Sequence, residues 1–530
     1  MFTPPLLAAI LFLMMTPPDV DPALLTVAEQ SDFTATASSD EVLELIARLR
    51  HRSPLMRVGE MGRTVEDREI PLLFLSDPPV ENAAEARLLA DREGKAIVFV
   101  LANIHAGEVE GKEVALMLAR EIGATGGERH PLLENLILVF APNYNADGND
   151  RFDDVEKNRP GQIGPARVGI RQNAQGIDLN RDYIALRAPE SRSLVSFLNQ
   201  LDPELTIDLH TTNGSRHRYL LTYDSPLNPS GHAAPIAFVR DRILPHVTAR
   251  VKETTGYDMW YYGNFNRDHT TWATYSPLPR FGANYQGLRG QMSVLSEAYS
   301  HAPFRERAMA THAFVREILD FASAHHAELC EIRTRARREV VERGRHPSPS
   351  DVVGIRHRIA AFEQPVAVLG YALEQSERGR LRPTGEPQDH HVVHLGRFEP
   401  TLSVSRPAGY IVPPDLDAVI ELLRAHGIKM ETLDGAMDAP VQRYTITHMQ
   451  QGEASYYGPG TMQADGEARL EKTTVPAGSV LVRTAQPLGT LAVYLLEPQS
   501  EDGVLTWGIL GDAIAEGKDF PVVRVPWLAE

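Results

Sequence analysis

The apolar run at residues 96–103 leads directly into His105 and Glu108, and this feature most restricts how the chain can fold. A short, continuous apolar run bounded by turn residues predicts a strand that is buried on both faces. A helical pattern begins at Gly111, and Gly107 and Gly111 are expected to allow a tight turn that directs both polar side chains towards one point. The sequence therefore predicts a strand–turn–helix unit that carries two candidate metal ligands.

Two later strand-like runs lead into residues of the same kind. Residues 205–209 are followed by His210, and residues 292–296 are followed by Glu297. Ligand sites in open α/β sheets lie outside the carboxyl ends of the strands. One histidine or glutamate after a strand is common, but three strand ends that each present such a residue predict one shared site.

The set of His105, Glu108 and His210 suits a mononuclear zinc centre. Catalytic zinc takes three protein ligands, and two histidines with one glutamate are a recurrent set. A second His-x-x-Glu pair, His325 and Glu328, lies at the tail of a predicted long helix with no strand before it. We interpret this second pair as a solvated helix end.

Strand-like and helix-like segments alternate along residues 40–330, which predicts an α/β sheet covered by helices on both faces. The first amphipathic helix is predicted to start after Asp40 as its N-cap. The predicted strands are 71–75, 96–103, 136–141, 205–209 and 292–296. The predicted helices are 41–51, 111–122, 189–201 and 304–324.

A charged helix followed by a Pro/Ser segment predicts a linker at residues 331–350. The catalytic domain is then predicted to span residues 40–330, with residues 1–39 as a signal peptide and N-terminal extension. After the linker, short strand-like runs predict a smaller β-rich domain at residues 351–530, to which the sequence assigns no role.

Composition excludes several other classes of function. The chain has 53 Lys and Arg against 70 Asp and Glu, for a formal net charge of −17, so no nucleic-acid partner is expected. Cys330 is the only cysteine, which excludes a Cys-rich zinc site and an intrachain disulfide. A metal ion would have to be held by histidines and carboxylates.

The apolar run from Leu6 to Met15 is far shorter than the roughly 20 residues of a membrane-spanning helix and close to a signal-peptide core. No Lys or Arg precedes it, and Thr16-Pro17-Pro18 follows where a small-residue cleavage site is usual. We expect a periplasmic or secreted protein with no stable membrane insertion after processing. The alternative is a cytoplasmic protein whose start codon is mis-assigned or whose N-terminal segment is buried.

Four motifs follow one another along residues 40–325. They are Asn103-Ile104-His105-Ala106-Gly107-Glu108, Ile177-Asp178-Leu179-Asn180-Arg181, Leu209-His210-Thr211 and Ser296-Glu297-Ala298-Tyr299. Together they resemble the zinc carboxypeptidase family of the carboxypeptidase A type, peptidase family M14. The resemblance implies a three-layer α/β/α fold with a mixed central sheet, and one zinc ion per chain bound by His105, Glu108 and His210.

The resemblance also implies roles for other residues. Glu297 would be the catalytic carboxylate that accepts a proton from the attacking water. Asn180 and Arg181 would bind the free carboxylate at the C-terminus of the substrate, and a planar guanidinium suits that group because it can form two parallel hydrogen bonds. Asp178 would orient a ligand histidine through its second ring N–H, although a simple loop aspartate competes with this interpretation.

Three positions stay open at this point. Arg171 is preferred over Arg159 as the arginine that polarises the scissile carbonyl, because Pro160 and Gly161 predict a structural turn beside Arg159. Tyr275 and Tyr285 are rivals for the tyrosine that covers the substrate. Classical members carry an arginine where this chain has Gly107, so one outer substrate contact is expected to be missing.

These observations predict a zinc metallocarboxypeptidase that removes residues from peptides with a free C-terminus. One alternative is a zinc amidohydrolase acting on small N-acyl amino acids; another is a catalytically silent module that binds carboxylates and has no need of Glu297. The preferred C-terminal residue is open, as is the choice between protein tails and cell-wall peptides. Arg280 and Arg289, in the pocket-forming stretch 274–291, either favour acidic side chains or face solvent.

Overall fold

The structure, a computed structural model, describes residues 20–124, 128–212, 214–375, 381–454 and 460–527. The run from Leu6 to Met15, which was predicted to be the core of a signal peptide, lies outside the described residues. Among the helices that the structure describes, none is both long and apolar enough to cross a membrane.

Strands of the first part of the chain are interleaved with helices, as the alternating pattern predicts. The strands are β1 (Met56–Arg63), β2 (Glu69–Leu75), β3 (Ala96–Ala102), β4 (Leu136–Ala141), β5 (Asp153–Asp154), β6 (Arg167–Val168), β7 (Leu205–Thr212), β8 (Leu221–Asp224), β9 (Met259–Tyr261), β10 (Asn264–Phe265), β11 (Thr271–Ala273) and β12 (Met292–Tyr299). The α-helices are α1 (Val27–Gln30), α2 (Ser39–Arg52), α3 (Ala83–Glu93), α4 (Glu110–Gly123), α5 (Leu132–Asn135), α6 (Ala146–Asp150), α7 (Val155–Asn158), α8 (Pro189–Leu201), α9 (Ala233–Phe238), α10 (Leu244–Thr255), α11 (Gly282–Leu288), α12 (Phe304–Ala324) and α13 (His326–Arg345).

Eight of these strands form a mixed sheet in the order β1-β2-β4-β3-β7-β12-β8-β9. Strands β4, β3, β7 and β12 run parallel to one another, and β8 is antiparallel to β12. Successive side chains of a strand point to opposite faces. In β3, Val98 and Val100 join one apolar core with α4 and α12, whereas Ile97 and Phe99 join a second core with α8. The predicted three-layer α/β/α arrangement with a mixed sheet is confirmed.

Several predicted boundaries hold, because long periodic segments are strongly specified. The predictions for β4, α8 and α12 agree with the structure at both ends. The prediction that Asp40 caps the first helix is wrong. Ser38 is the N-cap of α2: its hydroxyl accepts from the Glu41 N–H, and the Glu41 carboxylate accepts from the Ser38 N–H in a capping box.

The expected role of the two glycines is also wrong. The left-handed residue after β3 is Asn103, with φ 65°, and neither glycine has a positive φ. A Cβ at Gly111 would lie 2.6 Å from the Leu209 Cβ, and one at Gly107 would lie 2.7 Å from the Arg159 Cγ. These glycines therefore permit close packing, of α4 onto the sheet and of an arginine onto the turn, rather than an unusual backbone conformation.

The C-terminal part is rich in strands, as predicted. Its strands are β13 (Val352–Ala360), β14 (Val366–Gln375), β15 (Leu381–Leu395), β16 (Arg397–Ser405), β17 (Gly409–Val412), β18 (Glu431–Thr432), β19 (Met437–Gln451), β20 (Met462–Val475), β21 (Val480–Arg483) and β22 (Val523–Val525), with helices α14 (Asp417–Ala425) and α15 (Gly489–Leu496). Six of the strands form a sheet in the order β18-β21-β17-β22-β19-β20. The β14–β15 hairpin instead joins β10 and β11, so a C-terminal hairpin extends a sheet that begins in the first part of the chain.

The two parts share an apolar core. Tyr410 and Leu491 of the C-terminal part belong to the same cluster as Phe99 and Leu194 of the first part. Helix α13 covers most of the predicted linker and packs against the sheet, with Arg333 paired to Glu204 at 3.1 Å. The two proposed domains are therefore connected by a packed helix rather than by an extended segment.

Candidate metal centre and substrate pocket

The candidate residues meet at the carboxyl ends of three neighbouring parallel strands. His210 and Glu297 are direct partners across β7 and β12, and Leu209 is the partner of Ala102 at the end of β3. Strands β7 and β12 both continue to two residues beyond the candidate residue, so His210 and Glu297 lie inside strands rather than after them as predicted. This difference does not separate the site, because neighbouring strands lie only about 4.8 Å apart.

His105, Glu108 and His210 form one compact, buried cluster. The Nδ1 atoms of the two histidines are 3.2 Å apart, and the Glu108 oxygens lie 3.1 Å from each of them. Tetrahedral zinc with bonds of about 2.0 to 2.1 Å separates its ligand atoms by roughly 3.3 Å. Within the described residues, this is the only cluster of three or more histidine, cysteine or acidic side chains that could hold a metal ion.

The outer ring nitrogens of both histidines face carboxylates. His105 Nε2 is 3.0 Å from Asp178 Oδ1, and His210 Nε2 is 3.2 Å from Asp208 Oδ2. A carboxylate only accepts hydrogen bonds, so each Nε2 can donate outwards, and a cation bound at the centre of the cluster would take the lone pair of each Nδ1. Lone pairs that converge within such short distances fit a cation, and the donor set fits zinc.

Charge in this cluster opposes the cost of burial. Burial raises the pKa of the Glu108 carboxyl, but the charges of His105 and Arg159 hold that pKa well below its usual range. Burial lowers the pKa of His210, yet Asp208 and Glu108 hold it well above its usual value. The same negative surroundings would stabilise a divalent cation between these side chains.

Glu297 lies beside the cluster in a different environment. Burial, assisted by the charge of Glu108 and opposed by that of His210, raises the pKa of its carboxyl to about 7. A carboxyl group with a raised pKa can both accept and return a proton near neutral pH. Glu297 and Glu108 therefore lie together but differ in the direction of their pKa shifts.

The two candidate arginines are placed differently. Arg171 lines the cavity beside the cluster, with its Nε 2.9 Å from Asp178 Oδ2 and one terminal nitrogen 3.2 Å from His105 Nδ1. Arg159 is buried behind Glu108, to which it donates at 3.0 Å, and it also donates to the Thr211 carbonyl oxygen at 2.7 Å. Arg159 packs over Gly107, so a side chain at position 107 would displace it.

Asn180 and Arg181 lie on the same cavity wall. The Asn180 amide oxygen accepts from the Gly282 N–H at 2.8 Å, and the Arg181 guanidinium lies 4.0 Å from the centre of the Phe281 ring. Asp178 also orients this stretch, because its Oδ1 accepts from the Asn180 N–H at 2.9 Å. The short segment after Asp178 thus carries both a histidine partner and the amide–guanidinium pair.

The cavity has a volume of about 40 Å³, and its lining includes the candidate residues His105, Glu108, Arg171, Asn180, Arg181 and Glu297. Tyr275 lines it, together with Tyr262. Tyr285 does not: its hydroxyl is buried 2.8 Å from His426 Nδ1. The remaining lining residues are Asp208, Thr211, Thr212, Phe281, Gly282, Ala283 and Leu295.

Neither arginine of the pocket-forming stretch reaches the cavity or solvent. Arg280 is buried and paired with Asp502 at 3.0 Å, and Arg289 is buried and donates to Asn199 at 2.9 Å. Both interpretations, that these arginines favour acidic side chains or that they face solvent, are therefore wrong, because each side chain is buried against partners elsewhere in the fold. The second His-x-x-Glu pair is a partly exposed helix junction, as predicted, with His325 Nδ1 3.5 Å from Glu328.

The sequence does not identify two residues of the site, Asp208 and Tyr262, and it does not indicate that Arg159 donates to Glu108. Asp208 stands two positions before His210, and residues two apart in a strand share a face, so this signal was present. Tyr262 and Arg159 reach the site through loops, and no local pattern indicates where such side chains point.

Comparison with known proteins agrees with this geometry. Residues 42–229 match the family model described as "Zinc carboxypeptidase" (Peptidase_M14). The chain is similar to "Carboxypeptidase 2" of Trichophyton rubrum, with 22% identity over 523 residues that cover 93% of this chain and 88% of the relative. Such coverage includes most of the C-terminal part as well as the site.

Other similarities are more limited in extent. The chain is 28% identical over 180 residues to human "Carboxypeptidase D", which covers 29% of this chain and 13% of that protein. Among solved structures, a metallo-carboxypeptidase from Burkholderia cenocepacia superposes with a TM-score of 0.40 at 18% identity, over 54% of this chain and 69% of the other.

Proposed function

We propose that this chain, whose residues 42–229 match the zinc carboxypeptidase family model, hydrolyses the C-terminal peptide bond of peptides with a free carboxylate. One observation carries this proposal: two histidine nitrogens and a carboxylate converge within 3.1 to 3.2 Å beside a cavity lined by Glu297, Asn180 and Arg181. Metal ligands, a base and a carboxylate-binding pair are the three components that this reaction needs.

His105, Glu108 and His210 would hold one zinc ion per chain, with Asp178 and Asp208 fixing the ring orientations. When bound, zinc would act as a Lewis acid and make a water molecule more acidic. Glu297 would accept the proton of the attacking water on its carboxylate and return it to the leaving amine. The raised pKa of Glu297 supports this role, because both transfers require a group that changes protonation state near neutral pH.

Arg171 is our candidate for the donor that stabilises negative charge on the carbonyl oxygen during attack. It lies on the cavity wall, and its carboxylate partner Asp178 holds it there. Removing one such donor typically lowers the rate about 10²- to 10³-fold. Arg159 would instead hold Glu108 in place, because its guanidinium is engaged by Glu108 and by the Thr211 carbonyl.

Asn180 and Arg181 would bind the substrate's terminal carboxylate. The Asn180 amide oxygen accepts from the Gly282 N–H, and its NH₂ nitrogen lies 3.4 Å from His210 Nε2, next to the metal cluster. A guanidinium and an amide donor together match the planar carboxylate. Tyr275, which lines the cavity with Phe281, is our candidate for the tyrosine that covers the substrate.

The alternative of a small-amide hydrolase would be favoured by a C-terminal domain that closes over the site. Among the described residues, those that line the cavity all lie between His105 and Glu297, so residues 351–527 contribute none. This supports a peptide substrate that continues out of the site. The third alternative, a silent binding module, does not explain the position of the partly buried Glu297 next to the metal cluster.

A peptide mixture tests the proposed reaction directly. We expect mass spectrometry to detect loss of single C-terminal residues with zinc-loaded protein, and no loss after treatment with a chelator. Peptides with an amidated C-terminus serve as the control and should remain intact, because they lack the carboxylate that Arg181 would bind. Internal cleavage, or cleavage that is unchanged by the chelator, would overturn the proposal.

A further inference from the structure

A fully buried ion pair lies next to the metal-ligand cluster. Glu110 is the first residue of α4, two positions after the ligand Glu108, and its carboxylate pairs with the Arg307 guanidinium of α12. Neither side chain of the pair is exposed to solvent. Removing two charges from water costs free energy that their mutual attraction often does not recover, so a buried pair is weak evidence for added stability. The residues that the pair holds in place provide a better explanation for it.

The Arg307 side of the pair joins two segments of the site. Its Nε donates to Glu110 Oε1, and its two terminal nitrogens donate to four backbone carbonyl oxygens at 2.6 to 3.3 Å. Those oxygens belong to Ile163, Gly164, Ser300 and Ala302. The first two residues follow Arg159, and the last two follow β12, the strand that contains Glu297.

The Glu110 side of the pair reaches the cluster through Thr211, which follows the ligand His210 in β7. The Thr211 hydroxyl donates to Glu110 Oε2, and the Thr211 backbone N–H donates to Glu108 Oε2 at 3.0 Å. The Thr211 carbonyl oxygen accepts from Arg159, which also donates to Glu108 Oε1 at 3.0 Å. Thr211 therefore connects the buried pair to both carboxylate oxygens of a metal ligand.

Glu110 is not itself a member of the metal-ligand cluster. Both of its carboxylate oxygens are engaged by other groups, Oε1 by Arg307 and Oε2 by the Thr211 hydroxyl. A carboxylate whose two oxygens are held in this way does not compete with Glu108 for a cation. Its position near the cluster is therefore explained by support of the neighbouring side chains rather than by ligation.

We propose that the Glu110–Arg307 pair is a positioning unit for the metal centre and that it acts on Glu108 through Thr211. This inference rests on the metal centre of the proposed function. A glutamate side chain has several rotatable bonds, so it needs partners on both oxygens to stay aimed between two histidines. Thr211 and Arg159 are those partners. The pair fixes Thr211 through its hydroxyl and fixes the segment after Arg159 through its carbonyls.

The sharpest test removes only the hydroxyl that joins the pair to the cluster. T211V keeps the branched shape of the side chain but cannot donate to Glu110, whereas T211S keeps the hydroxyl. We expect the zinc Kd, measured by competition with a chelator of known affinity, to rise about 10- to 100-fold in T211V, the usual cost of losing an outer partner of a metal ligand. T211S should bind zinc with a Kd near that of the wild type.

R307K tests the other side of the pair and does not depend on whether T211V folds. Lysine keeps the positive charge beside Glu110, but a single ammonium cannot reproduce the planar set of guanidinium donors. The carbonyls of the segment after Arg159 would lose their donors, so Glu108 would be held less firmly. We expect the zinc Kd of R307K to rise about 10-fold, the lower end of the range for such partners. A wild-type zinc Kd in R307K would overturn the inference.

E497Q is the matched control for a general loss of stability. Glu497 and Arg524 form another buried ion pair, with 3.1 Å between Arg524 Nε and Glu497 Oε1, and neither residue lines the cavity. We expect E497Q to lower the urea midpoint of unfolding and to leave the zinc Kd unchanged. A wild-type zinc Kd in T211V, or an equal rise of the Kd in T211V and E497Q, would overturn the inference.

These measurements use zinc and a chelator alone, so they do not depend on turnover. If no peptide is cleaved but T211V weakens zinc binding and T211S does not, the proposed reaction fails and the positioning role of the pair stands. If peptides are cleaved but T211V binds zinc as tightly as the wild type, the inference fails and the proposed reaction stands.

Discussion

The metal-ligand cluster and the wall of the substrate cavity are supported in different ways. Each ligand of the cluster is held by residues of the first part of the chain: Asp178 holds His105, Asp208 holds His210, and Arg159 holds Glu108. The wall at Phe281 and Gly282 instead follows Arg280, which is buried against Asp502. The metal-ligand cluster is thus supported within the first part of the chain, whereas the residue next to this cavity wall contacts the C-terminal part.

This difference suggests what residues 351–530 contribute. Asp502 is fully buried and accepts from the backbone N–H of Arg280 at 2.8 Å, from its guanidinium, and from Trp507 Nε1 at 2.6 Å. Tyr285, on the helix that follows the wall, bonds His426 of the same C-terminal part. We propose that the C-terminal part positions the wall without lining the cavity. Variants of the two regions should therefore change different measured quantities.

The largest effect is expected from H210A, which removes a ligand of the cluster. Loss of an outer-shell partner typically costs about 10- to 100-fold in metal affinity or activity, and loss of a ligand should cost more. We expect H210A to lose both bound zinc, measured by elemental analysis, and carboxypeptidase activity. H246A changes a histidine on α10 and should retain both. Full zinc occupancy in H210A would mean that the third ligand is another residue.

E297Q should separate catalysis from metal binding. Glutamine keeps the size and polarity of the side chain but cannot accept the proton of the attacking water, so kcat should fall by about 10²- to 10⁴-fold. Zinc content should remain stoichiometric, because Glu297 is not part of the three-residue cluster. Turnover at the wild-type rate would remove Glu297 from the mechanism.

The same contrast explains how much the sequence predicts. The cluster could be predicted because each ligand stands next to a strongly patterned strand, and the carboxyl ends of parallel strands meet at one edge of the sheet. His105 and His210 are 105 positions apart, yet their Nδ1 atoms lie 3.2 Å from each other. Asp208 was also within reach, since it shares a strand face with His210.

The wall could not be predicted in this way. Arg280 reads as a solvent-facing or substrate-binding residue until its partner Asp502 is known, and the two are 222 positions apart. No periodic pattern links a loop arginine to an aspartate near the far end of the chain. The predicted cap of α2 is wrong for a different reason: Ser38 and Glu41 form the capping box two residues before and one residue after Asp40, and this signal is local to the sequence.

R181K should have the next largest effect, and it should change substrate binding rather than zinc. Lysine keeps the charge but loses the planar pair of donors and the contact with the Phe281 ring. We expect KM for C-terminally free peptides to rise about 10-fold or more, the lower end for a charge-assisted hydrogen bond, with a smaller change in kcat. R250K, at a partly exposed ion pair on α10, is the control. Equal KM values for R181K and wild type would assign the carboxylate to another residue.

The smallest effect on catalysis is expected from D502N, although its effect on stability should be large. Breaking one partner of a buried ion pair typically destabilises a protein by about 3 to 5 kcal/mol, because the other charge stays buried. Arg280 is 3% exposed, so D502N should lower the urea midpoint markedly. Since the wall shifts but the cluster does not, KM should rise several-fold while zinc content and kcat stay near wild type.

D351N distinguishes this specific role from general destabilisation. Asp351 pairs with the buried Arg406 at 2.8 Å and has no bond to the stretch before Gly282 among the described contacts. We expect D351N to lower stability without raising KM, when both variants are assayed well below their unfolding midpoints. If D502N and D351N raise KM equally, the C-terminal part stabilises the whole molecule and does not position the wall, and the contrast between the two regions disappears.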